Sequence, residues 1–382
     1  MTRSVLIVGA GIGGLALAQA LKRAGVHVQV MDKVTRFQPV GAGLILSGPA
    51  LRVLSHLDLS GPVRAAGQPL TSAWLTDASG RVLQTMSYAP TGGAVGIHRA
   101  ELHRVLSHGL TREIQFATTV QAMRQMPDGV EVTFSTGSAQ RFDAVIGADG
   151  LHSSVRRLMF GHVPQRYAGY TSWRFVVRMP GPRHMVELWG QGSRLGLVPI
   201  GGGQTYGYIT ANAPEGSANG SVGRAAEVRQ RGRAFGGVQD YLTQVTDDTA
   251  VIRTDIHEVR LPRWVQGHVA LLGDAAHAMT PNLGQGAAMS LEDAWVLSEQ
   301  LTGTPHVPVA LARYQTLRWR RVNQLQSKSR VLGRIGQLEA GAARSLRDQA
   351  MRLTLPALVR RTAHTLEQLG PESKSSCPSR RG

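Results

Sequence analysis

Val5-Leu6-Ile7-Val8-Gly9-Ala10-Gly11-Ile12-Gly13-Gly14 decides the fold of this 382-residue chain. Four consecutive apolar residues read as a strand buried on both faces, and the glycines that follow open directly into a helical stretch, Gly13 to Ala24. Val26 to Met31 is a second apolar run, closed by Asp32, so the first thirty residues form a βαβ start with glycines at 9, 11 and 14 and an acid at the end of the second strand. Each part has a physical task. Gly9 allows the tight turn, Gly11 lets backbone approach a pyrophosphate, Gly14 lets helix pack on strand, and Asp32 can hold ribose hydroxyls. The helix N-terminus adds unpaired N–H groups and the positive end of its dipole. A dinucleotide site follows, although this motif by itself does not separate NAD from FAD.

Working outward, Ala144 to Ile146 and Val269 to Leu272 are further short buried strands, each ending in a Gly/Asp turn that opens toward a helix. Between them, Trp74 to Met86 and Trp173 to Ile209 are richer in aromatic and β-branched residues, which predicts an antiparallel sheet inserted between pieces of the first domain. The expected fold is α/β. A Rossmann-like dinucleotide-binding domain is made of 1–70, 98–165 and 254–325, and a mostly antiparallel substrate domain of 71–97 and 166–253. A C-terminal helical extension covers 326–369, and a disordered tail 370–382. Gly216 to Gly237, rich in Gly, Ser and Arg, reads as a mobile loop leading into a helix.

Composition narrows the class. At 42% hydrophobic the chain can bury a large core. Its one cysteine, Cys377, lies in the polar tail, which leaves no disulfide framework and no cysteine metal site. No metal is expected, and a reducing cytoplasmic compartment fits. Glycines at 9, 11, 13 and 14 argue against a secretory signal in the apolar N-terminus, and no other stretch is long and apolar enough to span a membrane. The formal charge of +17 and pI near 11.2 are high. Between Ala310 and Arg361, however, twelve Lys and Arg face two acids in a helix-forming segment. The simplest reading is a solvated basic helix with no specific nucleic-acid partner; attraction to an anionic surface is the alternative.

Two later turns carry the cofactor choice. One is Ile146-Gly147-Ala148-Asp149-Gly150. The other is Leu272-Gly273-Asp274-Ala275-Ala276-His277, continuing through Pro281 to Gly284-Gln285-Gly286-Ala287 and the helical Met289 to Ala294. Taken in order with the N-terminal glycines, these segments resemble the flavoprotein monooxygenases of the p-hydroxybenzoate hydroxylase family over residues 3 to 325. The resemblance implies FAD, with Asp274 on the ribityl chain and Gly284, Gln285, Gly286 and Ala287 along the flavin pyrimidine edge, where a helix start would face an anionic reduced flavin. It places Arg99 at the ribityl-pyrophosphate region. Lys33, the Gly41-Ala42-Gly43 turn and the Val120 backbone surround the cofactor, and Asp149 serves FAD and NAD(P)H. Asp149 reads nearly as well as a structural turn residue. His277 reads as structural, with nothing to partner it in acid–base work.

The implied reaction takes NAD(P)H and dioxygen and hydroxylates a small aromatic or heteroaromatic ring through a flavin C4a-hydroperoxide. Tyr167 to Arg174 and Gly192 to Pro199, with Tyr206, resemble the bacterial urate hydroxylase branch, in which an Arg and a Tyr at the positions of Arg194 and Tyr206 face the substrate with an acid beside the flavin loop. Asn282 stands where that acid would be, which removes a charge suited to an ionisable purine. An epoxidase or reductase acting on a polyene or isoprenoid is the enzymatic alternative, and a basic binding protein with a structural flavin the non-enzymatic one. A monomer or homodimer is expected.

Overall fold

A computed structural model of the chain describes residues 3–37, 42–217 and 223–353. The expected tail from 370 and the end of the expected helical extension, 354–369, lie outside the described residues.

The N-terminal strand, Ser4–Val8, is the middle of the first layer because its side chains are apolar on both faces; Val5, Leu6 and Ile7 have no exposed surface. Parallel strands flank it on both sides: Ala144–Gly147 and Val269–Leu271 on one, His27–Met31 and Ile114–Gln115 on the other. The two-residue strand Val265–Gln266 closes the edge antiparallel. The helix Ile12–Arg23 is buried along Gly13 to Leu21, and a long helix, Gly286–Gly303, lies against it; a Cβ on Gly13 would come within 3.2 Å of Ser290.

A second sheet has seven strands in the order Ile252–Glu258, Arg166–Val177, Gln204–Asn212, Ser193–Gly201, Met185–Trp189, Ser72–Asp77 and Val82–Ser87. All neighbours are antiparallel except Met185–Trp189 with Ser72–Asp77. The period of two sorts its faces. Trp173, Phe175, Leu195, Leu197 and Ile209 form one core with Ala225, Val228 and Leu242 of the helices Arg224–Gly232 and Gln239–Thr243. The opposite face, carrying Arg194, Val198, Tyr206 and Tyr208, turns toward a small sheet of Gly43–Ser47, Ala94–His98 and Gln68–Leu70. The stretch read as a loop at 216–237 is helical from Arg224 to Gly232; its residues 218–222 lie outside the described residues.

The long helix Val307–Gly336 returns across both layers, and a further helix occupies 341–353. Its inner face carries the most consequential charges in the molecule. Arg318 donates to Asp293 Oδ1 at 2.7 Å and to Glu292 Oε2 at 2.6 Å, and Arg321 grips both Glu292 oxygens at 2.8 Å. Asp293 Oδ2 also takes the Gly273 N–H and faces His277 Nε2 at 2.6 Å. The expectation that His277 has no partner is therefore corrected: Asp293, sixteen residues along the chain, meets it because the helix brings it beneath the Gly273 turn. Burial alone would raise the Asp293 carboxyl, but His277 and Arg318 outweigh it and hold the group at about 2.

This pairing yields a prediction. Breaking a buried ion pair from one side leaves its partner uncompensated, so Arg318→Met should lower unfolding free energy by about 3–5 kcal/mol in a urea titration. Because Asp293 is held below the ordinary 3.8, its contribution is complete above that range and is lost as pH falls toward 2. The deficit of Arg318→Met relative to the parent should therefore shrink on acidification.

Candidate active site

The glycines of the first turn are packed as the fingerprint requires. Gly9 has φ of +108°, and a Cβ there would lie 2.4 Å from the Ala148 carbonyl oxygen; one on Gly14 would lie 2.0 Å from that of Gly9. Gly11 differs. No atom lies within 4 Å of where its Cβ would be, and it caps the Ile12–Arg23 helix without a side-chain hydrogen bond, so the helix N–H groups open onto free space. Asp32 accepts the Ala10 N–H at 2.8 Å and the Val34 N–H at 3.1 Å, which fixes its carboxylate beside that opening.

Gly284 and Gly286 likewise face open space, and the Gly286–Gly303 helix begins at Gln285 without a side-chain cap. Gln285 Nε2 reaches Ser47 Oγ at 3.3 Å while its Oε1 is buried with no partner among the described residues. Asp274 is exposed, and its carboxylate makes no hydrogen bond among the described residues. Enough protein crowds it that desolvation pushes its carboxyl up, against the pull of His277 and Arg99. Two uncapped helix starts, three glycines fronting open space and an unspent carboxylate fit a cofactor carrying phosphates, polyol hydroxyls and a flat ring edge. Arg99 opens its helix, Arg99–Ser107, as an exposed residue, and Lys33 is exposed beyond Asp32.

Three further residues expected around the cofactor have protein neighbours of their own. Both Asp149 oxygens are consumed within its own turn by the Ser153 and Ser154 hydroxyls and the Ser154 and Val155 N–H groups, the structural role that its position in a strand-to-helix turn had left open. Gly43 is held by Tyr206, whose Cβ lies 2.4 Å from where a Gly43 Cβ would be. Val120 is buried at the start of an antiparallel strand, opposite Phe134.

On the polar face of the seven-stranded sheet, Arg194 and Tyr206 lie on facing strands but at different levels. Arg194 is opposite Thr210 and Tyr206 opposite Val198, with Gly196 and Tyr208 between. Arg194 is 2% exposed, and each of its three guanidinium nitrogens has a partner. It donates to Asn282 Oδ1 at 2.5 Å, Glu187 Oε1 at 3.3 Å and Gln337 Oε1 at 3.2 Å. Asn282 Oδ1 also accepts the Tyr170 hydroxyl at 3.1 Å, while its Nδ2 donates to Thr280 Oγ1 and the Ser329 carbonyl. Tyr206 is pushed up to about 12 by burial, opposed by Arg174, and Tyr208 is raised by burial and by Glu187. Both phenols therefore stay neutral at ordinary pH. A cavity of 580 Å³ opens beside this group, with Tyr170, Thr280, Asn282 and Gln337 in its wall together with the charged side chains Arg166, Glu258, Arg330 and Arg334.

Sequence reasoning missed Glu187, Tyr208 and Gln337. Tyr208 was legible, since alternation along Gln204–Asn212 puts it on the face of Tyr206. Gln337 was not, because its approach depends on the long helix. Gly333 and Gly336 let that helix close in: a Cβ on the first would meet Asn282 Nδ2 at 2.4 Å and on the second Arg194 Cδ at 2.8 Å.

Comparison with known proteins places this geometry. The family described as "FAD binding domain" matches residues 2–329. Aurachin C monooxygenase/isomerase of Stigmatella aurantiaca is 39% identical over 361 residues, 92% of this chain and 94% of that protein. The 2-heptyl-3-hydroxy-4(1H)-quinolone synthase of Pseudomonas aeruginosa is 34% identical, covering 94% and 96%. The crystal structure of Klebsiella pneumoniae HpxO with FAD and uric acid superposes with a TM-score of 0.89 at 30% identity, covering 97% of each chain.

The open carboxylate gives a second prediction. Asp274→Ala should weaken FAD retention by roughly tenfold to a hundredfold, the scale of one charge-assisted hydrogen bond, with Asp274→Asn intermediate. Flavin-to-protein absorbance ratio after dialysis checks it, and unchanged retention in the alanine variant would remove Asp274 from the cofactor site.

Proposed function

The chain belongs to the FAD binding domain family and is an FAD-dependent monooxygenase, and from that premise we propose that it hydroxylates a neutral fused heteroaromatic ring of the 4-quinolone type at the expense of NAD(P)H and dioxygen. Bound FAD supplies hydride acceptance and activation of dioxygen. The residues suited to hold it are Gly11 and the helix start behind it for the pyrophosphate, Asp32 for the ribose, Asp274 and Arg99 for the ribityl region, and Gly284 to Ala287 for the ring edge.

One observation carries the choice of substrate. On the sheet face that carries Tyr206 and Tyr208, the guanidinium of Arg194 is engaged by Glu187, Asn282 and Gln337, so this face meets a ligand with neutral amides and neutral phenols. Of the arginines in the cavity wall, Arg166 and Arg330 pair with Glu258, and Arg334 stands at the rim without an ion pair among the described residues. An ionised purine set against that sheet face would lose solvation without meeting an unpaired cation on the face itself. A neutral ring bearing a carbonyl and an N–H can instead exchange hydrogen bonds with Tyr170, Asn282 and Tyr208. The relatives whose names specify quinolone chemistry are consistent with this, and 580 Å³ is in the range that holds a small fused ring with a short chain. In this reading Arg194 is a positioning residue. It anchors Asn282, and through it the substrate, rather than touching the ring.

Stopped-flow mixing of the yellow enzyme with NAD(P)H tests the substrate class. A 2-alkyl-4-quinolone should accelerate flavin bleaching and yield a hydroxylated product, and urate should do neither; acceleration by urate would contradict the neutral-pocket reading. Oxygen transfer needs the target carbon held at reacting distance. Arg194→Met, which releases Asn282, should therefore keep consuming NAD(P)H while hydrogen peroxide rises and hydroxylated product falls, with FAD content unchanged. Wild-type coupling in that variant would show that Arg194 does not position the substrate.

A further inference from the structure

The Val307–Gly336 helix contains seven Lys and Arg and no Asp or Glu across thirty residues. Three of these cations are satisfied inward: Arg318 and Arg321 by Glu292 and Asp293, and Arg330 by Glu258. The remaining four, Arg313, Arg320, Lys328 and Arg334, are exposed and form no ion pair among the described residues. At 100° per residue they project from about one half of the helix circumference. The same half carries five large exposed apolar side chains: Val309, Leu317, Trp319, Val331 and Ile335, with Leu317 58% and Val331 55% exposed. A shallow groove of 610 Å³ runs along its N-terminal end between Val309, Ala312, Arg313 and Leu317 and the end of the preceding helix at Gln300.

Isolated exposed apolar residues need no explanation, but five on one helix face interleaved with four unpaired cations form a surface with a definite complement. We propose that the outer face of this helix docks the enzyme on an anionic lipid bilayer, the apolar side chains entering the headgroup boundary and the cations pairing with lipid phosphates. Trp at such a face seats its ring at headgroup depth, and Arg and Lys stems can lie among the apolar side chains while their charges reach outward. Charge complementarity selects this occupant over two others. A second copy related by a two-fold axis would bring the four cations against themselves. A polyanion such as nucleic acid would pair with the cations but has no use for exposed Leu317, Val331 and Ile335. The net charge of +17 adds attraction at a distance.

Co-sedimentation of the full-length FAD-loaded protein with vesicles tests the surface, using phosphatidylcholine alone or mixed with phosphatidylglycerol. The protein should pellet with the mixed vesicles, release at high salt and stay in solution with phosphatidylcholine alone. The double variant Arg320→Glu with Lys328→Glu should weaken partitioning by about thirtyfold, from roughly fivefold or more per basic residue. Leu317→Ser with Val331→Ser should also weaken it, and both variants should keep wild-type flavin content. Brominated acyl chains should quench fluorescence in the parent more than in Trp319→Phe. The proposal is overturned by failure to bind mixed vesicles, by equal binding to both vesicle types, or by full binding in the serine variant, which would reveal simple polyanion attraction. A concentration-dependent dimer abolished by the serine variant would overturn it as well, by assigning the face to a second copy.

Discussion

Glu292 and Asp293 are adjacent carboxylates with almost no exposed surface, and they are tolerable there because Arg318, Arg321 and His277 surround them. Much of the architecture hangs on that neutralisation. The two acids lie on the helix whose first residue, Gly286, belongs to the loop proposed to face the flavin, and Asp293 also holds the Gly273 N–H immediately before Asp274. The two arginines belong to the helix that ends at Gly336 against Arg194. One ionic cluster thus sets the relative position of three parts of the site: the Gly273-Asp274 turn, the Gly284–Gly286 loop and the helix end that closes the substrate wall. A buried cluster of this kind costs desolvation and is weak as a source of stability. Its value lies in fixing one arrangement, since any slip would leave a charge uncompensated.

The cofactor half of the molecule was legible because its signals are local. Val5 to Gly14 is a strand, a turn and a helix start within ten residues, and each glycine acts on a neighbour a few positions away or on open space. The Gly273-Asp274 turn and the Gly284–Gly286 loop were legible for the same reason. Asp149 is a motif residue whose hydrogen bonds among the described residues all fall within its own turn and helix start, which the motif by itself does not announce. The substrate half was read less well because its contacts are distant in sequence. Arg194 reaches Gln337, 143 residues on, and Asn282, 88 residues on. Nothing in the spacing of those residues announces that the arginine is enclosed. His277 was misread likewise, since its partner Asp293 lies on another element.

The distribution of charge divides the protein into regions of different character. At the polar face of the seven-stranded sheet, cation and anion cancel in the Glu187–Arg194 pair and the phenols of Tyr206 and Tyr208 are held neutral. At the two helix starts at Gly11 and Gln285, uncapped backbone N–H groups offer positive ends suited to phosphate, and the exposed Asp274 carboxylate makes no hydrogen bond among the described residues. On the outside of the last long helix, unpaired cations are displayed with exposed apolar side chains. An apolar or neutral substrate suits the first region, an anionic dinucleotide the second and an anionic surface the third, so net charge alone describes none of them.

The central claim is that this chain uses reduced flavin to insert one atom of dioxygen into a neutral heteroaromatic ring. Mass spectrometry of the product formed by the purified yellow protein under isotopically labelled dioxygen, with NAD(P)H and a 2-alkyl-4-quinolone, tests it most directly. The account predicts a single labelled oxygen in the product, retained when the water is unlabelled and absent when only the water is labelled. Unlabelled product, or NAD(P)H consumption yielding hydrogen peroxide alone with every neutral heteroaromatic ring offered, would contradict it.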